Sequence, residues 1–110
     1  MIEDLINGAI SKFNSRVEKD PVLQKELEGM TRTVQVELKD GKSFCFSLQK
    51  NRMGDLHEGR LENPDIKIVS DEATLSGLLT GTVRPMKAWA TKKVQFKASL
   101  EDLMRIRKFF

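Results

Sequence analysis

The chain has 110 residues and a formal charge of +3, with a single Cys and a single His. That length suits one domain, 1–110, able to bury roughly 65% of its unfolded surface. One Cys excludes an internal disulfide, one His excludes a multi-histidine metal centre, and no apolar run approaches the ~20 residues of a membrane span. The opening MIEDLINGAI carries two acids where a secretory signal would carry bases, so a cytoplasmic location is expected.

Ile2, Leu5, Ile6, Ala9, Ile10, Phe13 and Val17 recur at the i, i+3, i+4, i+7 spacing of one helical face, with Glu3, Asp4, Asn7, Lys12 and Arg16 between them. Asp20-Pro21 reads as an N-cap and a first-turn proline for a second, short helix that ends near Gly29. The period then falls to two. Val34, Val36 and Leu38 alternate with Thr33, Gln35 and Glu37, and Phe44, Phe46 and Leu48 alternate with Cys45 and Ser47. Asp40-Gly41 between these runs is a strong hairpin signal. After a turn at Asn51-Arg52-Met53-Gly54, the segment DLHEGRLE is expected as a third strand of the meander.

Pro64 interrupts the chain, and Asp65–Val69 reads as a fourth strand. Ser70-Asp71 caps a helix carrying Leu75, Leu78 and Leu79, which stops at Gly81. Gly77 and Gly81 match GxxxG, but without a long apolar span around them this marks close packing at Gly77 and a helix end at Gly81. Pro85 opens a further helix with Met86, Trp89 and Ala90 on one side. Lys93–Ala98 alternates as a fifth strand, and Ser99 to Asp102 has capping-box spacing for a terminal helix with Leu100, Leu103, Met104, Ile106 and Phe110 as apolar positions. The expected class is α+β: a five-stranded, mostly antiparallel sheet, made of a three-strand meander plus two further strands, with helices packed over one face.

The sequence lacks GxGxxG, P-loop, GxSxG and HExxH motifs. His57 beside Glu58 reads as a solvent-facing pair, Cys45 as a half-buried small residue, and Glu101-Asp102 as first-turn acids complementing the helix dipole. No catalytic residue, metal or cofactor is assigned, and an enzyme is not expected. Charge is uneven: residues 84–110 carry a net +6, against 0 for residues 1–55 and −3 for residues 56–83. The basic quarter suits an anionic surface. Nucleic acid is not the expected partner, because Trp89 and Phe96 fall on core faces and are not free to stack on bases.

From about Thr33 onwards, the order of features is similar to the sterol carrier protein type 2 family. The resemblance is carried by a strand-like PDIKIVSDEATLSGLLTG with its Leu78, Leu79 and Gly81 ending, then TVRPMKAWATKKVQFKAS with its proline-opened helix and Lys93-Val94-Gln95-Phe96-Lys97 strand. Where family members often place Gly before the last strand and Gly-Asp after it, this chain has Thr91, Ala98 and Ser99. The resemblance implies one sterol-carrier-like domain. It also implies non-catalytic binding, and transfer, of a fatty acid, acyl thioester, phospholipid or sterol-like lipid in an apolar cavity between sheet and helices. The residues expected to line that cavity are Phe44, Phe46, Leu48, Leu75, Leu79, Met86, Trp89, Leu103 and Met104. Arg84, Lys87, Lys92 and Lys93 are expected to meet an anionic headgroup or, transiently, an anionic membrane surface. The alternative is a homodimeric or partner-docking module with a solid core, for which Phe109 and Phe110 would be the contact.

Overall fold

The computed structural model describes residues 2–108, with side-chain surroundings through Arg105; Phe109 and Phe110 lie outside the described residues, as does the side chain of Ile106. Helix α1 (Ile2–Lys19) buries Ile2, Ile6, Ile10 and Val17 along the expected stripe. Helix α2 (Pro21–Leu27) starts where Asp20 accepts hydrogen bonds from the backbone of Val22 and Leu23, at 3.1 Å each. Strands β1 (Arg32–Leu38) and β2 (Ser43–Gln49) form the antiparallel hairpin, with Val34 opposite Phe46 and Val36 opposite Phe44. Gly41 stands at φ 101°, a conformation that suits glycine, and closes a tight loop in which Leu38 N donates to Lys42 O at 2.8 Å.

Two short strands stand where one was expected: β3 (Arg52–Met53) forms within the expected turn, and of the expected third strand DLHEGRLE only β4 (His57–Glu58) is a strand; both pair with β2, at different places along it. Positive φ at Lys50 and Asn51 gives the mirror-image turn that reverses the chain into β3. The segment after β4 then crosses the outer face of the sheet. Leu61 N donates to the buried Gln35 Oε1 (2.9 Å), Arg60 pairs with Glu37 (3.0 Å), and Asp65 and Thr33 bond reciprocally through Thr33 N to Asp65 Oδ2 (2.8 Å) and Asp65 N to Thr33 Oγ1 (3.0 Å). That crossing delivers β5 (Ile66–Ser70) parallel to β1 on its far side, and β6 (Val94–Lys97) completes the sheet antiparallel to β5. The sheet order is β3-β2-β1-β5-β6, with β4 beside β3 on β2.

Helix α3 (Glu72–Thr80) is capped by Asp71, which accepts from Thr74 N at 2.9 Å and from Thr74 Oγ1 at 2.6 Å, and it ends at left-handed Gly81. A Cβ at Gly77 would collide with Val83, so the glycine allows the chain after the helix to fold tightly back. Helix α4 (Pro85–Ala90) and helix α5 (Leu100–Lys108) follow, on either side of β6. The result is α+β with a mixed, mostly antiparallel sheet. Val34, Val36, Phe44, Phe46, Ile66, Ile68 and Phe96 point to the face shared with the helices, and Gln35, Glu37, Cys45, Lys67 and Lys97 to the other.

Candidate functional site

The sheet and helices do not close fully upon one another. A partly open void of about 580 Å³ lies between α1, the inner face of the sheet and α3, and every described side chain lining it is apolar. Ile6, Ala9, Ile10 and Phe13 come from α1, Leu75, Leu78 and Leu79 from α3, and Val36, Phe46, Met53, Ile68, Val94 and Phe96 from the sheet; Pro85 closes the α4 end. A second void, of about 220 Å³, continues under β1 and β2 toward α2 and α5, where Leu27, Met30, Val34, Leu48 and Ile66 line it. The two share Phe13, Phe46, Met53, Ile68 and Phe96, so they form adjoining chambers of one apolar space. The larger chamber alone falls within the ~300–1,000 Å³ typical of ligand sites.

Met53, at the junction, is fixed by its backbone. Asn14 of α1 donates Nδ2–H to Met53 O (3.0 Å) and accepts from Met53 N (2.8 Å), so β3 is tied to α1 while the thioether side chain stays free to adjust. Asn14 also borders a polar pocket of about 260 Å³ with Lys50, Asn51 and Arg52, outside the apolar chambers.

Among the described residues, the charged groups lining the voids are Asp102 and Arg105, both in the smaller chamber. Asp102 is 3% exposed. Arg32 Nε donates to its Oδ2 at 2.8 Å, a hydrogen bond that raises the guanidinium above its ordinary value, and Arg105 approaches its Oδ1 at 3.3 Å. Ser99 Oγ accepts from Asp102 N (3.1 Å), so half of the expected capping box forms. Asp102 is therefore more than a first-turn acid: its carboxylate ties α5 to β1.

That tie corrects the expected face of α5. Burying Asp102 turns Leu100 and Met104 outward, 77% and 54% exposed, so Met104 lines neither chamber, and Leu103 is half-buried away from both. Helix α4 differs likewise. It packs through Ala88, 1% exposed, which leaves Met86 on the surface and puts Trp89 beside a separate pocket with Lys92 and Gln95. Trp89 still touches the chambers at one remove, since its ring meets Phe96 edge-on at 5.8 Å. Phe44 is buried in the cluster with Ile2 and Leu38 and lines neither void. Phe46, Leu48, Leu75 and Leu79 do line them. Arg84, Lys87, Lys92 and Lys93 are exposed around α4, and none lines an apolar chamber.

The α1 contributors Ala9, Ile10 and Phe13, with Ile68 and Phe96, were readable as core-face residues but not as lining, because periodicity marks the buried side of an element and not the space left beside it. Nothing in the sequence flags Asn14. Cys45 is half-buried and lies opposite exposed His57 across the β2–β4 pair, on the sheet face away from the chambers. No cluster of metal-ligating side chains and no helix long and apolar enough to cross a membrane occurs among the described residues.

A family model, the SCP-2 sterol transfer family, matches residues 10–110. The chain belongs to this family. The SCP-2 class is one of lipid binding or transfer, and membership gives the apolar chambers their functional context. No curated protein matches the sequence. Among solved structures, the crystal structure of sterol carrier protein 2 like 2 from Aedes aegypti superposes with a TM-score of 0.63 at 11% identity, covering 100% of each chain. The solution structure of the palmitated Aedes protein gives 0.57 at 12% identity, over 91% of this chain and 88% of that one. The stereoselective inverting sec-alkylsulfatase Pisa1 from Pseudomonas sp. gives 0.59 at 13% identity over 74% of this SCP-2 chain, which spans only 13% of the sulfatase. At these identities the likeness is one of fold.

Proposed function

We propose that this SCP-2 chain holds one long apolar lipid tail in the two adjoining chambers and passes it between membranes without chemical change. What supports this most is the apolar lining shared by the two chambers: among the described residues the larger one presents a tail with apolar side chains alone, and the smaller one adds only Asp102 and Arg105 at its α5 end. Each methylene buried contributes about 0.8 kcal/mol, less the cost of ordering the chain. Met30 and Met53 on the wall are flexible and polarisable, which favours tolerance of tail length over tight discrimination. Palmitate in the Aedes relative is consistent with an acyl ligand. Arg84, Lys87, Lys92 and Lys93, standing on the surface beside exposed Met86, then serve contact with an anionic membrane rather than the ligand, at about 1 kcal/mol per cation near such a surface.

Two measurements test the reading. Mass spectrometry of the purified protein should find a co-purifying acyl lipid, and titration with palmitate should change Trp89 fluorescence saturably, through Phe96. Failure of both would overturn it. For the membrane contact, Lys87→Glu with Lys93→Glu should weaken sedimentation with phosphatidylserine vesicles and leave phosphatidylcholine vesicles unaffected; equal binding by the reversed variant would refute that role.

A further inference from the structure

The outer face of the sheet, on the side away from the chambers, carries charge that lipid binding does not use. Its β1 half is covered by the segment from Gly59 to Asp65, held down through Gln35, Glu37 and Thr33. Its β5 and β6 half presents Lys67, Gln95 and Lys97, the last two exposed. Lys67 and Lys97 stand directly opposite one another in the β5–β6 pair. Like charges in that position destabilise a ladder.

The acids nearby are already engaged. Glu37 on β1 pairs through one carboxylate oxygen with Lys67 Nζ (2.9 Å) and through the other with Arg60 Nη1 (3.0 Å). Its carboxyl is held below the ordinary value chiefly by the hydrogen bond from Lys67, and further by the charges of Lys67, Arg60 and Lys97, so three cations converge on one carboxylate. Asp65 is taken by Thr33, accepting from its N (2.8 Å) and its Oγ1 (3.2 Å). Glu62, in the covering segment, is exposed and makes no ion pair with these cations among the described residues. Lys97 makes no ion pair among the described residues, and Arg60, its side chain 59% exposed, commits one N–H of its fork.

Spacing and polarity select the occupant. From Arg60 over β1 to Lys97 on β6 the cations span two strand spacings, about 10 Å, more than one phosphate group can bridge. An extended polypeptide sets side chains of one face about 7 Å apart, so two or three carboxylates in alternate positions reach all three cations. The exposed large apolar side chains Val22, Met86, Leu100 and Met104 all lie on helices, so among the described residues this face offers a bilayer none to insert. We propose that the outer face of the sheet docks an extended acidic segment of a partner protein, its carboxylates seated on Arg60, Lys67 and Lys97. The segment continues across β5 and β6 the polar covering that the chain itself supplies over β1, and it removes the repulsion between Lys67 and Lys97.

The probe is a blocked hexaglutamate peptide, titrated at low salt and followed by calorimetry and amide chemical shifts. Shifts should fall on β5, β6 and the segment around Arg60, and the affinity should drop as salt is added. Lys97→Gln and Arg60→Gln should each weaken binding by roughly 1.5- to 5-fold, the range of an exposed ion pair. Lys12→Gln, the same charge change on the exposed surface of α1, should leave it unaltered. Because Lys97 opposes Lys67, Lys97→Gln should also hold or raise the melting temperature, and its palmitate binding should match wild type, which keeps this result separate from the lipid reading. Absence of hexaglutamate binding, an equal loss in Lys12→Gln, or shifts confined to α4 would overturn the proposal. So would a lower melting temperature in Lys97→Gln, which would make that lysine a structural group. Binding of phosphatidylserine vesicles that depends on Lys97, without binding of the peptide, would assign the face to a membrane instead and overturn it as well.

Discussion

Ala9→Leu is the substitution whose sign separates an unfilled chamber from a packed core. Ala9 is half-buried on α1 and lines the chamber of about 580 Å³ opposite the inner face of the sheet. Leucine adds three carbons. If they enter open apolar space, burial contributes about 2.4 kcal/mol at ~0.8 kcal/mol per carbon, reduced by about 0.5–1 kcal/mol of lost rotamer freedom. The net gain is about 1–2 kcal/mol, since leucine is nearly as good a helix former as alanine. With a urea dependence of ~1–3 kcal/mol/M for a small domain, the unfolding midpoint of lipid-free protein should rise by roughly 0.5–1 M. The same carbons occupy space a tail would use, so palmitate affinity should fall as stability rises. In a close-packed interior the added carbons would force side chains off their rotamers at a cost of about 1–3 kcal/mol. A midpoint that falls by that amount, with palmitate binding unchanged, would refute the chamber.

Asp102→Asn keeps the shape but removes the charge that holds Arg32. A buried pair broken on one side costs ~3–5 kcal/mol, but the Arg32 side chain is 27% exposed and recovers water, so about 1–3 kcal/mol is expected in urea unfolding, with faster amide exchange along α5. An unchanged midpoint and unchanged exchange would show that the pair does not dock the helix. Gly77→Ala should lower stability by about 1–3 kcal/mol because Val83 has to move, read as a fall in melting temperature of several degrees. Acid should destabilise the domain through two carboxyls whose folded values are lowered: Glu37, chiefly by the hydrogen bond from Lys67, and Asp71, by the hydroxyl and backbone N–H of Thr74. Each binds its proton less readily folded than unfolded, so the stability it contributes is present above the ordinary carboxylate value of about 4 and is lost as pH falls through the lowered one. Urea midpoints compared at pH 7 and pH 3 should therefore fall less in Glu37→Gln and Asp71→Asn than in wild type; an identical fall would remove these groups from the acid sensitivity.

What the sequence announces here is what neighbouring residues decide. The α1 stripe, the Asp20-Pro21 and Asp71 caps, the Gly81 stop and the Asp40-Gly41 hairpin are all set within a few residues, and each stands where its pattern puts it. The features that depart from the pattern are set across the fold. Strand pairing at the edge of β2 is confined to β3 and the two residues of β4 because the chain then leaves that edge to cross the outer face, where Gln35, Glu37 and Thr33 receive it. Neither the parallel pairing of β5 with β1 nor the burial of Asp102 against Arg32, 70 residues away, has a local signature. The orientation of α5 follows from that one ion pair, which outweighs the apolar spacing that would have turned Met104 inward. At the site, the alternating hairpin and the leucines of α3 mark Phe46, Leu48, Leu75 and Leu79 as inward-facing, but an inward-facing residue has the same pattern whether its neighbours touch it or stand apart.

The chambers are cut from the core itself, and this shapes how the domain holds together. Ile6, Ile10, Val36 and Leu75 are buried members of the main apolar cluster and also wall the larger chamber. The second cluster, Val17, Leu23, Leu27 and Leu48, lies at the α2 end. With open space between them, contact among apolar side chains cannot by itself fix the distance between α1 and the sheet, and directional bonds have to do so. The Arg32–Asp102 pair and the Thr33–Asp65 reciprocal bonds serve the sheet's α5 end and its parallel pair. Between the clusters the task falls to Asn14. Met53 is the single side chain that packs against both clusters and lines both chambers, among the described residues, and its backbone is gripped from both N–H and C=O by the Asn14 amide. A wall that must yield to ligands of different length and a strand that must not move thus coexist in one residue: the thioether adjusts, and the hydrogen bonds keep the adjustment from reaching the sheet.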